Sequence, residues 1–143
     1  MKFKKFLFVF IAVLLFVITG CLSGIENEEQ NIEVQKRSCD EDKYENFKEI
    51  TNNEEVQKVR EILGNAEWKN AMESMSRPPD YRFIFQFNNP KIEAKAVGYE
   101  VWVSPTKDTL GIVEASNKYV QLTKENSAIL YEILTGAKLF NFK

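Results

Sequence analysis

The sequence predicts an α+β fold: an antiparallel sheet of about four to six strands with two helices packed on one face. Three observations predict it. Residues 81–87 alternate aromatic and polar or aliphatic side chains without a break, as a half-buried strand does. Two segments, 51–63 and 123–135, place a polar cap before apolar residues at helical spacing. Turn-forming residues separate short extended pieces between 88 and 118, so neighbouring strands connect as hairpins.

Taken in order, the chain opens on Lys2, Lys4 and Lys5, followed by an unbroken apolar run from Phe6 to Ile18. That run is shorter than the roughly 18–20 apolar residues a spanning helix needs. It ends in Ile18-Thr19-Gly20-Cys21, the aliphatic-small-small-cysteine pattern of a bacterial lipobox. A positive start, a short apolar stretch and a small-residue cleavage site make a signal peptide. An ordinary signal-peptidase site wants a small residue three before the cut, where Ile18 stands, so the lipobox reading is preferred to it and to an uncleaved anchor. Residues 1–20 are therefore expected to be a lipoprotein signal peptide. Cys21 is the expected lipid-attachment residue, carrying a diacylglycerol, with its new amino group open to acylation. Two acyl chains anchor stably, since each buried methylene contributes about 0.8 kcal/mol. The expected location is the cell membrane, lipid-anchored, facing the extracytoplasmic side.

Residues 21–31 read as the lipidated cysteine and a flexible, acidic tether. Ten extended residues reach roughly 33 Å. Residues 32–143 read as a single extracytoplasmic domain. Residues 32–36 alternate as a strand, the acidic run Asp40-Glu41-Asp42-Lys43 as a loop, and residues 44–50 as a second extended piece anchored by Phe47 and Ile50. Thr51-Asn52-Asn53-Glu54 has the form of a capping box with Thr51 as the cap. The helix it starts carries Val56, Val59, Ile62 and Leu63 on one stripe, with a Glu54–Lys58 pair on its surface, and Gly64-Asn65 supplies a left-handed stop. Residues 66–75 fit either a helix through Trp68, Ala71, Met72 and Met75, or an extended piece plus loop. Arg77-Pro78-Pro79-Asp80 ends any helix there.

In the strand 81–87, Tyr81, Phe83, Phe85 and Phe87 share one face, which is expected to bury against both helices; Arg82, Ile84 and Gln86 share the other. Asn88-Asn89-Pro90 turns the chain into a return at 92–96 and 98–104, with Gly98 a candidate bulge. Strands at 110–115 and 119–122 follow, separated by Ser116-Asn117-Lys118. Thr123 caps the last helix, Ile129, Leu130, Ile133 and Leu134 form its stripe, and Gly136 ends it. Leu139, Phe140 and Phe142 make an apolar tail suited to packing back.

Composition narrows the function. Without residues 1–20, 16 of the 19 basic residues remain against all 21 acidic ones, a formal charge of −5 where the full chain shows −2. An acidic domain argues against nucleic acid as a partner. The chain has no histidine, which excludes Ser-His-Asp and Cys-His catalysis and any histidine-containing zinc site. With Cys21 committed to lipid, Cys39 has no partner for an intramolecular disulfide. Asp40, Glu41 and Asp42 lack the spacing of a calcium loop, so no metal and no cofactor is expected. Two surface readings remain. Ile84 and Trp102 fall by alternation on the polar sheet face; they form either a recognition patch or a satellite core covered by residues 66–75. Arg77 and Asp80 flank a rigid turn as either a ligand rim or a structural pin.

Residues 75–83, Met-Ser-Arg-Pro-Pro-Asp-Tyr-Arg-Phe, preceded by Ile62-Leu63 and Trp68, resemble a signature of small Firmicute lipoproteins of the YhfM-like kind. Trp102-Val103-Ser104 and the Leu122-Thr123 helix start are also similar, and the resemblance covers residues 32–134. It implies a membrane-anchored extracytoplasmic domain, an extended Trp68 segment, and no catalytic residues to transfer. The expectation is a non-enzymatic lipoprotein that binds a protein or another envelope component. The alternative is an inhibitor or immunity-type module acting on a secreted hydrolase, which predicts an acidic concave rim.

Overall fold

A computed structural model of the chain describes residues 30–39, 43–70, 75–89 and 97–139. The lipobox Ile18-Thr19-Gly20-Cys21, most of the tether, the loop carboxylates Asp40, Glu41 and Asp42, the return at 92–96, and Phe140 and Phe142 lie outside the described residues. The elements are β1 (Gln30–Arg37), β2 (Tyr44–Ile50), α1 (Asn53–Gly64), β3 (Lys69–Asn70), β4 (Tyr81–Phe87), β5 (Gly98–Val103), β6 (Leu110–Glu114), β7 (Lys118–Gln121) and α2 (Lys124–Thr135). The strands form one antiparallel sheet in the order β2-β1-β4-β5-β6-β7-β3.

The α+β class stands, but the described residues hold seven strands, more than the four to six expected. The extra strand is β3, whose two residues pair with Tyr119 and Lys118. Two residues show no alternation, so nothing in their sequence marks them as a strand. β1 begins at Gln30, so Gln30 and Asn31 pair with Phe87 and Gln86 in the sheet instead of continuing the tether. The irregular register lies between β1 and β2, where Phe47 is the unpaired extra residue, and not at Gly98, which pairs regularly with Ile84.

Both helices cover one face of the sheet. Ile32, Val34, Ile50, Phe83, Val101, Leu110 and Ile112 rise from the strands to meet Val56, Val59, Leu63, Leu130 and Leu134. Phe83 stacks on Tyr99 with ring centroids 4.9 Å apart, and Phe85 meets both rings edge-on. The other face is mainly polar: Arg82 pairs with Glu100 at 3.0 Å, and Gln35 donates to Asn46.

The two helices begin and end differently. α2 matches its sequence signals: Thr123 Oγ1 accepts from the Asn126 amide, and Gly136 closes the helix at φ 75°. α1 does not. Its cap is Asn52, one residue after Thr51, whose Oδ1 accepts from the amides of Glu54 and Glu55 at 2.9 and 3.3 Å. Both residue types cap well, and the carboxamide reaches both amides. α1 ends with Asn65 in a right-handed conformation, φ −91°. A left-handed stop is not needed, because Trp68 Nε1 donates to the Leu63 carbonyl at 2.8 Å and takes up one of the orphan acceptors. Residues 66–70 are therefore not helical, and 71–74 lie outside the described residues. The surface ion pair on α1 joins Lys58 to Glu61 at 3.6 Å.

Among the described residues one polar side chain lies in the core. Ser127 is fully buried; its Oγ accepts from the Leu110 amide at 2.9 Å and faces the Leu122 carbonyl. It ties α2 to the first residue of β6. Ser127→Ala is expected to cost about 1–3 kcal/mol, since it orphans a buried N–H. A drop in the urea midpoint checks this; an unchanged midpoint would show that another acceptor takes the Leu110 amide.

Candidate functional site

The turn Arg77-Pro78-Pro79-Asp80 is tied to the sheet by several hydrogen bonds. The prolines hold its backbone, and Asp80 fastens it to two strands, β1 and β5. The Asp80 amide donates to Val101 O at 2.8 Å, and its carbonyl accepts from the Arg37 amide at 3.1 Å. Its carboxylate accepts from the Val103 amide at 2.8 Å and from Arg77 Nη1 at 2.7 Å, with Arg37 Nη2 at 3.9 Å. Arg77 Nη2 also donates to Val103 O at 2.7 Å. The Tyr44 hydroxyl donates to Pro79 O at 2.8 Å. The carboxylate hydrogen bond strengthens the grip of Arg77 on its proton. Asp80 is thus a structural pin, and it fixes a guanidinium at the surface.

Ile84 and Trp102 share a sheet face but do not form one patch. Ile84 pairs with Gly98, four residues before Trp102 on β5. At about 3.4 Å per residue that separates them by about 14 Å along the strand. Trp102 is only 7% exposed, and its Nε1 donates to Arg77 O at 2.8 Å. The indole is covered from the side of residues 75–77. Gly111 stands opposite Trp102, and a Cβ there would meet the Tyr119 ring at 3.2 Å. Trp102 is therefore packing under the turn, while Ile84 is a half-buried aliphatic farther along the sheet.

A groove of about 540 Å³ opens beside the turn. The C-terminal end of β1 contributes Lys36 and Arg37, the turn contributes Arg77 and Asp80, and the β5–β6 connection contributes Pro105 and Lys107. Tyr81, Tyr131 and Leu139 supply apolar surface inside it. Tyr81 and Tyr131 meet edge to face, with centroids 6.0 Å apart. Burial, then the neighbouring Tyr131 hydroxyl, raises the Tyr81 phenol above its ordinary range, so it stays neutral at physiological pH. Among the described residues four cations line the groove with one carboxylate, which two of them share, and Glu45 lies opposite Lys36 on β2. Lys36 and Lys107 are exposed on its rim.

The carboxylate of the β5–β6 connection is occupied. Asp108 accepts from the Thr106 and Ser104 hydroxyls and pairs with Lys124 at 2.9 Å. The Thr106 hydroxyl, then Lys124, holds its carboxyl down at about 2. Among the described residues, no group of three or more Cys, Asp and Glu side chains is arranged to hold a metal ion. Arg77 and Asp80 stood out from the sequence; Lys36, Arg37, Lys107 and Tyr131 did not, because only the folded register brings them to that turn.

No curated protein and no solved structure matches the chain. A family model does: the one described as YhfM protein matches residues 25–139, which span the whole sheet and both helices. The match includes the proline turn, the tryptophan beneath it and the groove residues together. The chain belongs to the YhfM protein family.

Proposed function

We propose that this chain is a membrane-anchored extracytoplasmic lipoprotein without enzymatic activity, acting as a binding module for a protein or another envelope component. The observation that carries the proposal is Ile18-Thr19-Gly20-Cys21, placed after three lysines and a short apolar run. Among the described residues no helix is long and apolar enough to cross a membrane. A lipid on Cys21 supplies attachment that needs no spanning segment.

The binding half of the proposal is supported by the groove beside Asp80. A rigid turn, two tyrosines and the fixed guanidinium of Arg77 resemble the residue types that dominate protein interfaces.

Cys21→Ser tests the anchor. The variant is expected to leave the membrane fraction or to accumulate as the uncleaved precursor. A variant that is still processed and membrane-bound like the parent would overturn the assignment.

A further inference from the structure

We infer that the outer edge of β2 is closed to a second copy of this chain by the inward-facing Lys48 and the bulge at Phe47, so that removing them turns β2 into a self-pairing strand. The inference goes beyond the reading of the chain as a binding module and does not rest on it.

The position of β2 is the first argument. It stands first in the sheet order and pairs with β1, and among the described residues no strand lies on its other side. An outer strand presents backbone N–H and C=O groups to any strand that arrives. A two-fold axis normal to the sheet lets a second β2 add antiparallel with both helix layers on the same side, so the strand is its own geometric complement. The opposite edge of the sheet is protected by its shortness, since β3 has two residues. β2 has seven, about 24 Å of extended chain, so its length gives no such protection.

Lys48 is the second argument. It stands opposite the fully buried Val34, so its side chain rises on the helix-covered face, beside the buried Ile50. There Lys48 Nζ donates to the Ile133 carbonyl in the last turn of α2 at 2.8 Å, and a cation suits that end of a helix. The side chain is half-buried, so the ammonium keeps part of its hydration. A strand added along β2 would enclose that ammonium. In a two-fold pair centred near the middle of β2 it would also bring two of them together. The charge is satisfied while the edge is open and opposes its closure.

The bulge is the third argument. The register changes between Val34 and Gln35, with Phe47 as the extra residue on β2. An extra residue bends the strand and interrupts the straight run of backbone groups that a new strand needs. Phe47 is also the exposed apolar side chain of this edge, at 43%. Its ring turns toward Tyr81, with centroids 6.1 Å apart, and Lys36 Nζ lies 5.5 Å from its centre. A cation thus stands over the one large apolar surface that β2 offers.

The test compares the full-length chain with Lys48→Val in density-matched neutral detergent. Sedimentation and amide hydrogen exchange are followed as protein concentration rises. In the parent, exchange of the β2 amides is expected to be independent of concentration. Lys48→Val should self-associate at least about tenfold more tightly, and its β2 amides should slow as the dimer forms while those of β7 stay unchanged. Deleting Phe47 in that variant should tighten association further. Lys48→Arg, which keeps the charge, should behave as the parent does. If Lys48→Val fails to fold, Lys48→Gln, which keeps a donor for the Ile133 carbonyl, should show the same change in smaller measure. Concentration-dependent protection of β2 in the parent would overturn the inference. So would a folded Lys48→Val chain whose association and β2 exchange match the parent's, or one that associates without slowing in β2. No further tightening on deletion of Phe47 would overturn the part given to the bulge.

Discussion

Phe83→Ala is expected to destabilise the domain by about 3–5 kcal/mol. Phe83 is 1% exposed at the centre of β4, between β1 and β5. Its ring stacks on Tyr99 at 4.9 Å and takes an edge from Phe85 at 6.1 Å. Truncation removes apolar burial and leaves a cavity that the sheet, held by two ladders, has little freedom to close. Chemical unfolding followed by tryptophan fluorescence reads the effect as a lowered midpoint at unchanged slope. A loss below about 1 kcal/mol would mean that the two helices repack into the space.

The second large effect is expected at Asp80. Asp80→Ala should cost about 2–3 kcal/mol, chiefly by orphaning the Val103 N–H and releasing Arg77. The ion pair itself adds little, because the Arg77 side chain is 42% exposed and screened by solvent. Asp80→Asn separates the two contributions. It keeps an acceptor for the Val103 amide while removing the charge, so it should lose less than half as much. Equal losses in the two variants would make charge, and not the backbone hydrogen bond, the dominant role of Asp80.

What was legible in the sequence follows from what each signal encodes. Alternation in residues 81–87 correctly assigned Tyr81 and Phe83 to the core face, because strand side chains have a fixed period of two. The same rule put Ile84 and Trp102 on one face, which is correct, but register decides their separation and register is not written in alternation. The burial of Trp102 was open in the sequence for a related reason. Residues 75–80 have no periodicity that would show their path across the sheet. Thr123 and Gly136 marked α2 unambiguously, whereas Thr51 was read as the cap of α1 where its neighbour Asn52 holds that position, and Trp68 substituted for a left-handed stop. The groove was half visible. The rigid turn announced Arg77 and Asp80, but Lys36 reaches them only because it pairs opposite Tyr81.

The same physics links the turn to its use. A pinned backbone presents Arg77 in one place, Trp102 supports that backbone from beneath, and Tyr81 carries the turn directly into the core.

The most direct test is the intact mass and N-terminal peptide of the protein extracted from its own membranes. The expected species starts at Cys21, lacks residues 1–20, and carries a diacylglycerol on the Cys21 thiol, with or without a further acyl chain on its amino group. A chain that retains residues 1–20, starts at another residue, or presents Cys21 as a free thiol would contradict the account.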